Sequence, residues 1–294
     1  MRMEMGNVAL GVALGVLVLL SGCASTRFSA PGAALEASLP PLETAAGEFR
    51  IDYDSRNAQD AGRIRQAVLE ALPKLERWGA LREPVTIRVM PDHAALESAV
   101  RARGYDWLRA WSRYDEVFVQ APSTWDKAGA TQAQINELLL HELTHSVMYQ
   151  LVEDRRTSKR IPLWFREGMA SYTAEQAYRW VSLEEIAKHY ERAPTSDPVR
   201  NPGDLYRDDS NFIYGVAHHT FAFLVKRYGE EPVRGLLREM RSGKEFPEAF
   251  ESAIGLPPDA FVRDFTRYVR WRAFSGGRVQ PRAPTPAPAP PPTN

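Results

Sequence analysis

The chain has a single cysteine, Cys23, so no disulfide can form within one molecule. It has no excess of either charge, because 37 Lys and Arg balance 37 Asp and Glu. A nucleic-acid partner would ordinarily show as a basic excess, and the composition argues against one. No apolar run is long enough to cross a bilayer as a helix. The longest, Val8 to Leu20, is thirteen apolar or Gly residues behind a short head carrying Arg2. That length suits the core of an export signal. Histidines are few too, six in 294 residues. Two of them on one helix face therefore carry information.

His141 and His145 are such a pair, in the run His-Glu-Leu-Thr-His. Positions i and i+4 of an α-helix project from the same side, so two imidazole nitrogens can meet one metal ion. Glu142 lies one residue round the helix, placed to reach a metal-bound water without being a ligand. A zinc peptidase needs that division of labour. The segment Thr131 to Glu153 contains no Gly or Pro and reads as one helix. Thr131 is its N-cap, and Gln134 three residues later completes a capping box. Leu138, His141, His145, Met148 and Val152 make a stripe at spacings of three and four, and Leu139, Leu143 and Val147 widen the apolar surface. The other reading is a structural one, with both histidines in the core. Burying Glu142 beside them without a partner would then be costly.

A catalytic zinc takes three protein ligands. The third candidate is Glu167, about a turn and a half into a helix that Pro162 opens. Its neighbours Leu163, Trp164, Phe165 and Met169 are apolar, which implies burial and hence a partner. Gly168 and Ala170 are small, and the expectation is that they let this helix lie against the histidine helix.

His-Glu-Leu-Thr-His followed by Trp-Phe-Arg-Glu-Gly-Met-Ala-Ser-Tyr resembles the gluzincin zinc metallopeptidases, most closely the peptidase MA-like group, over about residues 115–230. The resemblance implies Zn2+ held by His141, His145 and Glu167, with Glu142 as general base and acid. It also implies a Tyr or His from a later helix as oxyanion donor. Tyr214 and His218 share one face of Asn211 to Gly229, and both are candidates; each has an alternative as a core residue. Thermolysin-like relatives carry an Asp four residues after the ligand Glu, where this chain has Ser171. By the same resemblance a sheet edge pairs with extended substrate, and Val117 to Gln120 is the expected edge strand, with Val117 and Val119 as substrate-binding positions.

The apolar run ends Leu20-Ser21-Gly22-Cys23, which resembles the lipobox of bacterial lipoproteins. That implies removal of residues 1–22, a lipid on Cys23 and tethering to a membrane. With Ala24 next, the resemblance points to the outer membrane, facing the periplasm. Residues 23–47 read as a flexible tether. Residues 48–274 read as one metallopeptidase domain, and the Pro/Ala-rich tail 275–294 as disordered and polyproline-like. Strands are expected at Phe49–Tyr53, Val85–Val89 and Glu116–Gln120. A helix is expected from Asp60 to Trp78, bent or shortened at Pro73. Tyr105, Trp107, Trp111 and Tyr114 are expected in the core, with a cleft wall as the other option. The segment 192–210 reads as a connector or a lid. Strands first and helices after give an α+β fold, a small mixed sheet packed on a mainly helical, zincin-like half.

Three function classes fit. The favoured one is a lipid-anchored zinc endopeptidase of the cell envelope, acting on a peptide or protein. The others are a zinc amidase acting on peptidoglycan stem peptides, and a non-catalytic envelope scaffold lipoprotein.

Overall fold

Alternate burial along two strands and continuous burial along a third build the centre of the sheet. In the computed structural model, residues 35–155 and 160–274 are described. Cys23, the export signal and the tail 275–294 lie outside them. The strands are β1 (Ala37–Ser38), β2 (Leu42–Thr44), β3 (Gly47–Tyr53), β4 (Val85–Met90), β5 (Ala110–Ser112) and β6 (Glu116–Gln120). Their order is β1-β3-β4-β6-β5, with β2 also pairing β3. The β3–β4 and β4–β6 pairs are parallel, and the others are antiparallel. Helix α1 (Ala58–Glu76) joins β3 to β4, the crossover that a parallel pair requires.

Phe49, Ile51, Val85, Ile87, Val117 and Val119 turn to one side, into the main core. Phe118 and Met90 turn to the other and meet Leu96, Ala99 and Val100 of α2 (His93–Val100). Strand β6 is thus buried on both faces and lies between β4 and β5. This corrects the expectation that Val117 to Gln120 is the edge. Val117 and Val119 are fully buried core residues rather than substrate-binding positions. A continuous apolar run is the mark of a strand covered on both faces. The edge is β5, whose three residues are too few for a period to show.

Two further expectations change. The segment 23–47 is not all tether, because β1 and β2 pair with β3 and bury Leu42 and Ala46. Strands of two and three residues leave no readable alternation. Helix α1 continues through Pro73 to Glu76. Pro73 sits on the exposed side, and Leu69, whose carbonyl loses its partner, is 47% exposed.

The second half is helical: α3 (Gln132–Leu151), α4 (Leu163–Thr173), α5 (Leu183–Arg192), α6 (Leu205–Asp208), α7 (Ser210–Tyr228), α8 (Glu230–Arg241), α9 (Phe246–Ile254) and α10 (Pro258–Phe274). A short 3-10 turn, Gln176–Arg179, follows α4. Helix α3 lies between α1 and α4 and under β5. Trp164 and Phe165 of α4 anchor an aromatic core with Phe221, Phe246, Phe250 and Phe261. No helix among the described residues is long and apolar enough to cross a membrane.

Gly168 sets the closest helix–helix approach, and the partner is α7 rather than the histidine helix. A Cβ there would lie 2.4 Å from the Ala217 carbonyl oxygen and 2.6 Å from Phe221 Cβ. Gly168→Ala is therefore expected to destabilise by at least about 1–3 kcal/mol, since backbone must move. Gly62→Ala, on the exposed side of α1 with nothing within 4 Å, is the control. It should instead stabilise, by roughly 0.5–1 kcal/mol. Urea midpoints of the two variants decide; equal midpoints would mean that α4 and α7 are not closely packed at Gly168.

Candidate metal centre and active site

Helix α3 starts at the capping box between Thr131 and Gln134, as its sequence requires. That start, with nothing to break the helix, carries His141, Glu142 and His145 to one side of it. Helix α4 brings Glu167 to the same place. The ligand atoms of His141, His145 and Glu167 all lie within 4.8 Å of one another. Glu167 Oε2 is 3.7 Å from His141 Nε2 and 3.4 Å from His145 Nε2. Donors about 2.1 Å from a tetrahedral centre stand about 3.4 Å apart, so the spacing fits a zinc ion. The donor chemistry fits as well: two imidazoles and a carboxylate, all three of them screened from bulk water.

Each donor is aimed by a neighbour. His141 Nδ1 meets Gln176 Oε1 at 2.9 Å, and Gln176 Nε2 donates to Glu137 Oε1 at 3.0 Å. An amide oxygen only accepts, so Nδ1 carries the proton and Nε2 is left with its lone pair. Arg166 Nε donates to Glu167 Oε1 at 2.9 Å, which leaves Oε2 for the histidines. His145 stacks on Tyr149, centroids 5.9 Å apart and 12° between planes. Its Nδ1 is buried without a hydrogen-bond partner. Desolvation pushes the Glu167 pKa up, but His145, His141 and Arg166 outweigh it and hold the carboxyl well below its ordinary value. Desolvation likewise works to lower His141, and Glu167 and Glu142 overcome it to leave that pKa raised. Attraction between the carboxylates and the imidazoles thus dominates the trio, and a cation is the charge it favours.

Glu142 points differently. Its Oε2 accepts from Ser112 Oγ at 2.7 Å, which ties it to the edge strand. It lines the cleft with His141 and does not belong to the group of three donors.

The two residues of α7 separate. Tyr214 lines the same cleft as His141 and Glu142. Burial, and then the nearby Glu167 carboxylate, raise its pKa well above the ordinary tyrosine value, so it is a hydroxyl donor at neutral pH. Trp180 stacks on its ring at 5.5 Å and 15°. His218 instead meets Ser171 Oγ through Nδ1 at 2.8 Å, and that hydroxyl accepts from Trp180 Nε1 at 2.7 Å. Burial, helped by His219, lowers the His218 pKa to about 4 and keeps it neutral. Ser171 therefore ties α4 to α7 through His218.

The cleft has a volume of about 740 Å³. Trp107, Leu108, Arg109 and Ala110, which lead into β5, line it together with Gln176, Tyr178, Arg179 and Trp180 at the turn after α4. Trp107 is 61% exposed, and Tyr105 and Trp111 are exposed too; among the four aromatics of that stretch only Tyr114 is in the core. Gln176, Glu137, Ser112 and Arg166 were not singled out by the sequence. They reach the site across tens of residues or from beside a motif position, and no local pattern marks them.

Comparisons with known proteins give the chain's family. The chain is 24% identical over 131 residues to the uncharacterized protein YhcO of Bacillus subtilis (strain 168). That stretch is 44% of this chain and 40% of YhcO, so the chain matches well under half of that relative's length. A solved structure of an M1 zinc metallopeptidase from Deinococcus radiodurans, an E323A mutant bound to a Tyr-Ser-Ala substrate, matches with TM-score 0.41 and 14% identity. The match covers 79% of this chain and 50% of that one. The family model of the peptidase MA superfamily matches residues 78–270, about two thirds of the chain, and spans both helices that carry the site. The chain belongs to the peptidase MA superfamily.

Proposed function

We propose that this protein is a zinc-dependent peptidase and that it cuts within chains rather than at their ends. The observation that carries the reading is the convergence of His141 Nε2, His145 Nε2 and Glu167 Oε2 beside a carboxylate, Glu142, that is not part of the group. A zinc ion held by the three would lower the pKa of water and polarise the scissile carbonyl. Glu142 takes the proton of the attacking water and returns it to the leaving amine. Ser112 holds Glu142 by one oxygen, leaving the other for that transfer. Tyr214 donates its hydroxyl to the oxyanion as negative charge develops there.

Strand β5, at the end of the sheet beyond β6, is the strand that pairs with substrate. Trp111 pairs with Phe118 in the ladder, and Arg109 O accepts from Gln120 N on the same side. The main-chain groups of Ala110 and Ser112 therefore face away from β6, where an extended peptide can add as a strand. An exopeptidase acting at the N-terminus needs a free acid to hold the amine. The cleft acid other than Glu142 is Glu137, and it is occupied by Gln176, Arg179 and Tyr178. That supports cleavage inside a chain.

The test is incubation of the zinc-supplied protein with an unfolded protein substrate, products being read by mass spectrometry with a chelator control. Chelator-sensitive internal cuts are expected; an intact substrate would sink the reading. Tyr214→Phe should lower kcat by about a hundredfold with zinc content unchanged. An unchanged kcat would move the oxyanion role off Tyr214. Envelope location by a lipid on Cys23 is proposed from the sequence alone. Cys23→Ser is expected to move the protein from the membrane to the soluble fraction, and retention at the membrane would reject the lipid.

A further inference from the structure

The cleft exposes more aromatic surface than the chemistry requires. Seven large hydrophobic residues are exposed among those described; two of them line the cleft, and two more pack against residues that line it. Trp107 and Tyr178 line it, 61% and 70% exposed. Tyr105 packs edge-on against Trp107, centroids 5.7 Å apart, and Tyr206 lies against Tyr214 at 6.3 Å. Single exposed hydrophobics need no explanation, but a cluster concentrated round one concavity does.

The rings are held in place. The Tyr178 hydroxyl donates to Glu137, and Tyr105 braces Trp107. Charged groups in the walls are already used. Arg109 donates to the carbonyls of Asp106, Leu108 and Trp125, and Arg179 pairs with Glu137. What the walls offer a ligand is thus ring faces, with spent charges behind them. Trp107 comes from the segment that leads into β5, which reaches Glu142 through Ser112, and Tyr178 from the 3-10 turn that reaches His141 through Gln176; both line the cleft with His141 and Glu142.

We propose that Trp107 and Tyr178 form an aromatic clamp that selects the substrate. The substrate class is an extended polypeptide segment with aromatic or large aliphatic side chains near the scissile bond. The inference rests on the peptidase reading and names what that site prefers. A polypeptide is favoured over a glycan, although sugars also stack on aromatic rings. The free main-chain groups of Ala110 and Ser112 beside Trp107 match a peptide backbone, and a glycan has no use for a strand edge. Rigid, pre-placed rings supply contact area at little entropic cost, which suits them as anchors.

The test separates docking from chemistry. Binding is measured on the full-length Glu142→Gln protein with two unstructured peptides of equal length and charge, one carrying Phe and Leu and the other Ser and Gln. A soluble chitin oligosaccharide is the third probe. The aromatic peptide is expected to bind at least about tenfold more tightly than the polar one. Trp107→Ala and Tyr178→Ala, each added to Glu142→Gln, should each remove most of that difference, while Trp107→Phe retains it. Equal binding of the two peptides, or a preference for the oligosaccharide, would overturn the clamp. So would a peptide preference that survives both alanine variants. Cleavage of the same peptides by the unmutated protein is scored apart. Tight aromatic binding without cleavage would refute the peptidase reading and leave the docking surface; cleavage of both peptides at equal efficiency would do the reverse.

Discussion

Glu142→Gln is expected to keep its zinc and lose about a thousandfold in kcat. Gln has the shape of Glu, and Ser112 Oγ can still donate to its side-chain oxygen as it does to Glu142 Oε2. The group of three donors does not include Glu142, so the metal should be held unchanged. What disappears is a basic oxygen able to take a proton from water and return it to an amine. A neutral amide does neither at any working pH. Paired measurements of bound zinc and single-turnover hydrolysis check this. Full activity would remove Glu142 from proton transfer, and lost zinc would make it a ligand.

Glu167→Ala should lower zinc affinity by more than about a hundredfold, beyond the range that outer hydrogen-bond partners command. The reason is more than the loss of one of three donors. Glu167 is the group that neutralises positive charge beside two buried imidazoles, and its carboxyl is held ionised by His145, His141 and Arg166 against desolvation. Without it Arg166 loses a buried partner at 2.9 Å, so some loss of stability accompanies the loss of metal. Glu167→Gln separates the two effects, since it keeps the volume and a donor–acceptor group for Arg166 while removing the charge. Competition with a zinc-binding dye, alongside urea denaturation, reads both. A variant that binds zinc as tightly as the parent places the third ligand elsewhere.

The parts of this protein legible in sequence are those that a helix repeats locally. The capping box at Thr131, the spacing of His141 and His145, and the apolar setting of Glu167 all arise within a few turns. Sequence separation hid the rest. Gln176 stands 35 residues from His141, on a 3-10 turn without a periodic face, yet it fixes which nitrogen carries the proton. Ser112 sits on a three-residue strand, below the length at which alternation can be seen. The same shortness moved the edge assignment to β6, whose apolar run is louder because both of its faces are covered. Gly168 marks a point of close approach in the sequence without naming its partner. Smallness says that something comes near, and only the packed structure says it is Ala217 of α7. The aromatics before β5 misled for a related reason. Hydrophobic side chains usually go inside, and Trp107 stays out because it faces a cleft.

The central claim is that His141, His145 and Glu167 hold one zinc ion. Its most direct test is the metal content of the purified full chain after zinc supply and removal of the excess, beside a His141→Ala control. About one zinc per chain, absent from the control, is the expected result. A chain that stays metal-free while folded, or a control that retains the ion, would contradict the account.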